Sequence, residues 1–97
     1  MHPVDTSILI ADLEDAFAAG DRPRFAATAA CLDVLMSGDG FEASRALWLT
    51  CYMCSRALVQ EPSGEGPLQD AAQRAIRRLA NIAEAARLGH GEGLLAA

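Results

Sequence analysis

Residues 61–67 read Glu61-Pro62-Ser63-Gly64-Glu65-Gly66-Pro67, and this stretch decides the fold. Pro62 disfavours helical geometry in the residue before it, so a helix arriving from the N-terminal side ends near Gln60. Pro67 lacks only an N–H that the first turn of a helix does not use, so it fits the first position of a new one. Further upstream, Ser37-Gly38-Asp39-Gly40 and Gly20-Asp21 interrupt the chain in the same way. Four Ala- and Leu-rich segments remain. They predict an all-α, single-domain four-helix bundle of antiparallel helices, with short loops after helices 1 and 2 and a longer loop at 61–66.

Each segment carries its own start and stop signals. Asp5, Thr6 or Ser7 can cap the first helix, which presents Leu9, Leu13, Ala16 and Phe17 on one face and stops before Gly20. Asp21 caps the second, whose first turn accommodates Pro23 and whose stripe is Phe25, Ala29, Leu32, Leu35 and Met36. Asp39 is the expected cap of the third helix, Phe41 to Gln60, with Glu42 as its capping-box partner. In the fourth helix Leu68, Ala72, Ala75, Ile76, Leu79, Ile82, Ala83 and Ala86 repeat at the helical period before Gly89. Residues 1–89 are thus read as one helical domain and 90–97 as a flexible C-terminal tail.

A chain of 97 residues has room for one core. It is 52% hydrophobic but only 5% aromatic, and about a fifth of it is alanine. The interior must therefore be built from small side chains between closely approaching helices. Eight arginines, no lysine and thirteen acidic residues give a net charge of −5, which argues against adhesion to nucleic acid or to an acidic membrane surface. The charge is uneven: residues 1–42 hold eight acids and two arginines, whereas residues 43–97 hold five acids and six arginines.

Met1 to Asp5 carries no basic region, and the apolar run Ile8-Leu9-Ile10-Ala11 ends at Asp12, so no targeting segment is read. Nothing approaches the roughly 20 apolar residues of a membrane span. Cys31, Cys51 and Cys54 form an odd set at helical positions, which points to a reducing, cytoplasmic setting. The bias toward Ala, Arg and Gly without Lys suggests a GC-rich bacterial genome.

Helix three holds more apolar side chains than one face can bury. At about 100° per residue, Ala43, Leu47, Cys51, Cys54 and Leu58 cluster on one side. Roughly opposite lie Arg45, Leu49, Tyr52 and Arg56, with Met53 alongside and Trp48 on a flank. Two arrangements satisfy this pattern. Either the helix is central and touched on several sides, or its second stripe is an apolar patch with cationic ends that marks a contact site. Arg77 and Arg78 on helix four, without local acidic partners, extend the candidate partner-binding set of Arg45, Leu49, Tyr52, Met53, Arg56, Arg77 and Arg78. Asp70 and Arg74, four apart, read as a local pair.

Catalytic and metal templates do not assemble. The pair Cys51-Tyr52-Met53-Cys54 falls some ten residues into its helix, away from the N-terminus that would lower a thiol pKa. A zinc site would require Cys31 and His2 or His90 to converge on that pair, and no spacing implies this. No Gly-rich phosphate loop follows a strand, and two histidines, one near each terminus, supply no base for a nucleophile. Asp12 and Asp15 share an exposed face without apolar enclosure.

The expectation is a non-enzymatic helical protein-interaction module, an accessory subunit, adaptor or chaperone-like unit. It would bind protein rather than nucleic acid or membrane, self-associate through helix three as a homodimer or higher oligomer, and use no cofactor or metal. The competing class is a thiol-redox or metal-binding helical protein built on Cys31, Cys51 and Cys54.

Overall fold

The computed structural model describes the backbone of residues 3–96 and the side chains of residues 6–86. Four helices follow in order, α1 (Pro3–Ala19), α2 (Arg22–Met36), α3 (Phe41–Gln60) and α4 (Pro67–Ala96), with no strand among the described residues. Each packs on its neighbours around a ring, α1 on α2, α2 on α3, α3 on α4 and α4 on α1, while the diagonals contribute almost nothing. The result is the four-helix bundle that the loop pattern predicts. Helix α3 occupies a corner, packed extensively on α4 and more lightly on α2.

The turn at Gly20-Asp21 follows directly from local preferences. Gly20 adopts φ +68°, its N–H donates to the Phe17 carbonyl, and the Asp21 N–H donates to the Ala16 carbonyl. This is the paired C-terminal hydrogen-bond pattern that a left-handed residue makes possible. Asp21 then caps α2, its carboxylate accepting the Arg24 N–H at 3.2 Å. The α1–α2 hairpin is clamped further along, where the Arg24 guanidinium donates to the Asp12 carboxylate and the Thr28 hydroxyl donates to the same group at 3.2 Å. The Arg24 hydrogen bond, helped by its charge and by Thr28, holds the Asp12 carboxyl below the usual carboxylate range. Near the turn, the Phe17 and Phe25 rings meet at 6.5 Å in a tilted arrangement.

The first helix begins at Pro3, ahead of Asp5, Thr6 and Ser7, so none of these is its N-cap. Three further sequence expectations need correction. Asp39 does not cap α3, so the capping box with Glu42 is not made. Its N–H closes the turn at the end of α2 by donating to Met36, and the N-cap is Gly40 at φ +98°, without a side-chain bond. The reversal into α3 needs that left-handed backbone, which glycine adopts without strain. Second, α4 does not stop before Gly89 but runs to Ala96. The tail expected at 90–97, with His90, falls where side chains are not described, as does His2. Third, the buried face of α3 is rotated from the one expected. It comprises Ala43, Ala46, Leu47, Thr50, Cys54 and Ala57, while Cys51 and Leu58 are only half-buried. Thr50 can be buried because its hydroxyl donates to the Ala46 carbonyl at 2.7 Å and lies 3.2 Å from the Ala75 carbonyl across the α3–α4 contact.

The core is correspondingly fine-grained. Leu13, Phe17, Leu32, Met36, Ile76 and Leu79 supply its bulk, and Ala16, Ala43, Ala46, Ala57 and Ala72 fill between them. Small residues at the contacts shorten the distance between helix axes, which is how an alanine-rich chain closes a bundle. No buried side-chain nitrogen or oxygen among the described residues lacks a hydrogen-bond partner.

The stretch 61–66 does more than connect. Glu61 closes α3, and its carboxylate reaches forward to accept the N–H groups of Leu68 at 3.2 Å and Gln69 at 2.7 Å. The buried Gln69 amide donates back to the carbonyls of Glu61 at 3.1 Å and Ala57 at 3.4 Å. The start of one helix and the end of the other are thereby satisfied by two side chains. Gly66, at φ +136°, lies against this clasp, and a Cβ placed there would sit 2.4 Å from the Glu61 carboxylate.

Candidate functional site

Because α3 stands at a corner of the ring, one side of it is left without cover. Phe41 is 81% exposed, Trp48 64%, Leu49 39%, Tyr52 47% and Val59 59%, so among the described residues five of the seven large exposed hydrophobics lie on this one helix. Single exposed apolar residues are ordinary, but a concentration on one helix face is not. Phe41 and Val59 are eighteen positions apart, five turns at 3.6 residues each, so they share an angular position on which Trp48 and Tyr52 also fall closely. The Trp48 and Tyr52 rings stack with centroids 5.5 Å apart and planes 2° from parallel, and the Arg56 guanidinium covers the Tyr52 ring at 5.7 Å. Stacking and the cation–π contact join the two rings and the guanidinium into one aromatic platform.

The expected partner-binding residues therefore separate into groups. Tyr52 and Arg56 belong to the platform on the outer face. Arg45, Leu49, Met53 and Arg78 line a groove between α3 and α4, together with Phe41, Glu42, Ala46, Thr50, Ala71, Arg74, Ala75 and Ile82. Its volume is about 530 Å³, within the range of ordinary binding clefts. Met53 is half-buried and packed against the core, so it is groove floor and not part of an open patch. Arg77 is exposed but lies outside the groove lining.

Read from the sequence alone, Trp48 falls on a flank, and Phe41, Val59 and Arg74 are not among the expected site residues. The five-turn interval was the signal for the first two. Arg74 was assigned to a local pair with Asp70, but that ion pair does not form. An ion pair does join Asp12 to Arg24 on the opposite hairpin.

The thiols lie elsewhere. Cys31 is exposed on α2, Cys51 is half-buried and Cys54 is fully buried. Burial, with the neighbouring Cys51, pushes the Cys54 thiol up to about 12, and burial together with Asp33 raises Cys51. A nucleophilic or metal-binding thiol needs a shift in the opposite direction. No group of three or more His, Cys, Asp or Glu side chains placed to hold a metal ion occurs among the described residues. No helix is long and apolar enough to cross a membrane among them either.

No protein-family model matches the chain, and neither a curated protein nor a solved structure matches it.

Proposed function

We propose that this chain is a small non-enzymatic helical interaction module, of the accessory-subunit or adaptor type, that self-associates through the outer face of α3. The observation that carries this reading is the uncovered line Phe41, Arg45, Trp48, Tyr52, Ser55 and Val59, all exposed and spaced alternately four and three apart. That spacing is the seam of a two-helix coiled coil.

The line is also symmetric about Thr50. Phe41 and Val59, Arg45 and Ser55, and Trp48 and Tyr52 are pairwise equidistant from it. Two copies of α3 laid antiparallel about a two-fold axis would set Phe41 against the second copy's Val59 and Trp48 against the second copy's Tyr52. Each Arg45 would then face a serine. A parallel pair in register would oppose Arg45 to Arg45 and stack like charges. A two-fold contact uses the same surface on both partners, and this surface is complementary to itself only in the antiparallel sense.

The setting that suits three unpaired thiols is a reducing cytoplasm. Light scattering on the eluting protein tests the proposal. A dimer is expected, as is its conversion to monomer by Tyr52→Glu with helical content retained. A wild-type chain that stays monomeric at its highest soluble concentration would refute self-association, and a folded Tyr52→Glu dimer would move it off α3.

A further inference from the structure

The groove between α3 and α4 shares Phe41 and Arg45 with the outer seam at one edge, but its floor lies about a quarter-turn around α3 and the seam does not account for it. Its floor is built from small side chains. Ala46, Ala71 and Ala75 expose only methyl groups, and the Thr50 hydroxyl is already satisfied by backbone carbonyls, so an apolar side chain seated there strands no donor. Leu49, Met53 and Ile82 complete an apolar bed.

The charge around that bed has one predominant sign. Arg45 rises from α3, and Arg74 and Arg78 rise one turn apart from α4, against a single carboxylate, Glu42. None of these arginines has a carboxylate within ion-pair distance among the described residues. This cationic concentration sits on a chain whose net charge is −5. Phe41 to Met53 spans roughly 18 Å at 1.5 Å per residue, enough for about twelve residues of a third helix.

We infer that the groove binds an amphipathic helix of another protein, with its apolar edge on the alanine floor and acidic residues on its flanks facing Arg45, Arg74 and Arg78. Three features favour a helix. The walls repeat at three- and four-residue spacing, the small floor residues permit close approach of a helix axis, and the groove lies open along α3 and α4. Methionine in the bed adapts to different apolar edges. The three guanidiniums specify acidic flanks and exclude basic ones.

The experiment uses the full chain and three synthetic fluorescent peptides about fourteen residues long. These are a Leu/Ala/Glu amphipathic helix, the same helix with Lys for Glu, and a scrambled Leu/Ala/Glu sequence without an apolar face. Anisotropy should show binding of the first at least about tenfold tighter than of the other two, weakening as salt rises. The double variant Arg74→Glu with Arg78→Glu should lose the acidic peptide and gain the lysine peptide, while circular dichroism stays unchanged. Both sites are on α4, so light scattering of this variant reports self-association separately, and either proposal can fail without the other. Equal binding of the scrambled peptide would reduce the site to bulk charge. Equal binding of the lysine peptide would reduce it to apolar adhesion. No binding of the first peptide, or binding unaffected by the double charge reversal, would overturn the assignment.

Discussion

Glu61 and Gln69 hold each other at both backbone and side chain: the Glu61 carboxylate accepts the Gln69 N–H at 2.7 Å, and the Gln69 amide donates to the Glu61 carbonyl at 3.1 Å. Each residue finishes the other's helix. Glu61→Ala leaves two first-turn N–H groups of α4 without their acceptor, and a loss of about 1–2 kcal/mol is expected in urea unfolding. Gln69→Ala frees the α3 carbonyls. Because both residues act on one clasp, the double variant should cost less than the two single losses together, with a coupling of about 0.5 kcal/mol or more. Strict additivity would show that the two contacts act independently.

Gly66 should be the least replaceable glycine of the loops. Gly66→Ala adds a methyl at φ +136° and drives it into the Glu61 carboxylate, whereas Gly64→Ala, at φ +87°, meets open space. Backbone strain alone costs about 1–3 kcal/mol at either position. Gly66→Ala also displaces the cap, so its midpoint in urea should fall below that of Gly64→Ala. The reverse order would mean that Glu61 swings aside without loss.

Leu47 and Tyr52 lie five residues apart on opposite sides of α3. Leu47 is buried and Tyr52 is about half exposed. Leu47→Ala should cost about 2–5 kcal/mol. Tyr52→Ala should stay within about 0.5 kcal/mol when both are measured at concentrations low enough to keep the chain monomeric. A large loss for Tyr52→Ala under those conditions would make it a structural residue of the single chain.

Cys54 should make the bundle sensitive to alkali. Its folded-state pKa lies at about 12 against an ordinary value of 9.0. The raised folded value means that this contribution to stability is fully present below pH 9 and is lost as pH rises from there toward 12. The slope of stability against pH above 9 should flatten in Cys54→Ala. Under native conditions near neutral pH, an aromatic disulfide reagent should modify exposed Cys31 first, half-buried Cys51 slowly and Cys54 only as the chain opens. Rapid native labelling of Cys54 would revive a thiol chemistry for this helix.

What could be read in the sequence divides by the range of the forces involved. The Gly20-Asp21 junction was legible because a left-handed glycine followed by an aspartate cap is a matter of neighbouring residues. Pro67 was legible for the same reason. Asp39 and Gly40 were not, because both residues satisfy the local rules for a helix start and the path out of α2 chooses between them. The rotation of α3 turned on Thr50, whose hydroxyl is satisfied by Ala46 within its own helix and is covered only when α4 docks and brings the Ala75 carbonyl, twenty-five residues away, to 3.2 Å. The candidate site shows the same division. Tyr52 and Arg56 were visible from periodicity, whereas Arg74 was assigned to its sequence neighbour Asp70 and instead rims a groove that forms only when α4 docks on α3.

The ring of helices without diagonals has a mechanical consequence. Contact is densest within the α1–α2 and α3–α4 hairpins and thinner between them, so a bundle stretched in an optical trap should part first along the boundary between the hairpins. The α3–α4 half, riveted at one end by Glu61 and Gln69 and at its crossing by Thr50, would bear the load longest, and it carries both proposed binding surfaces.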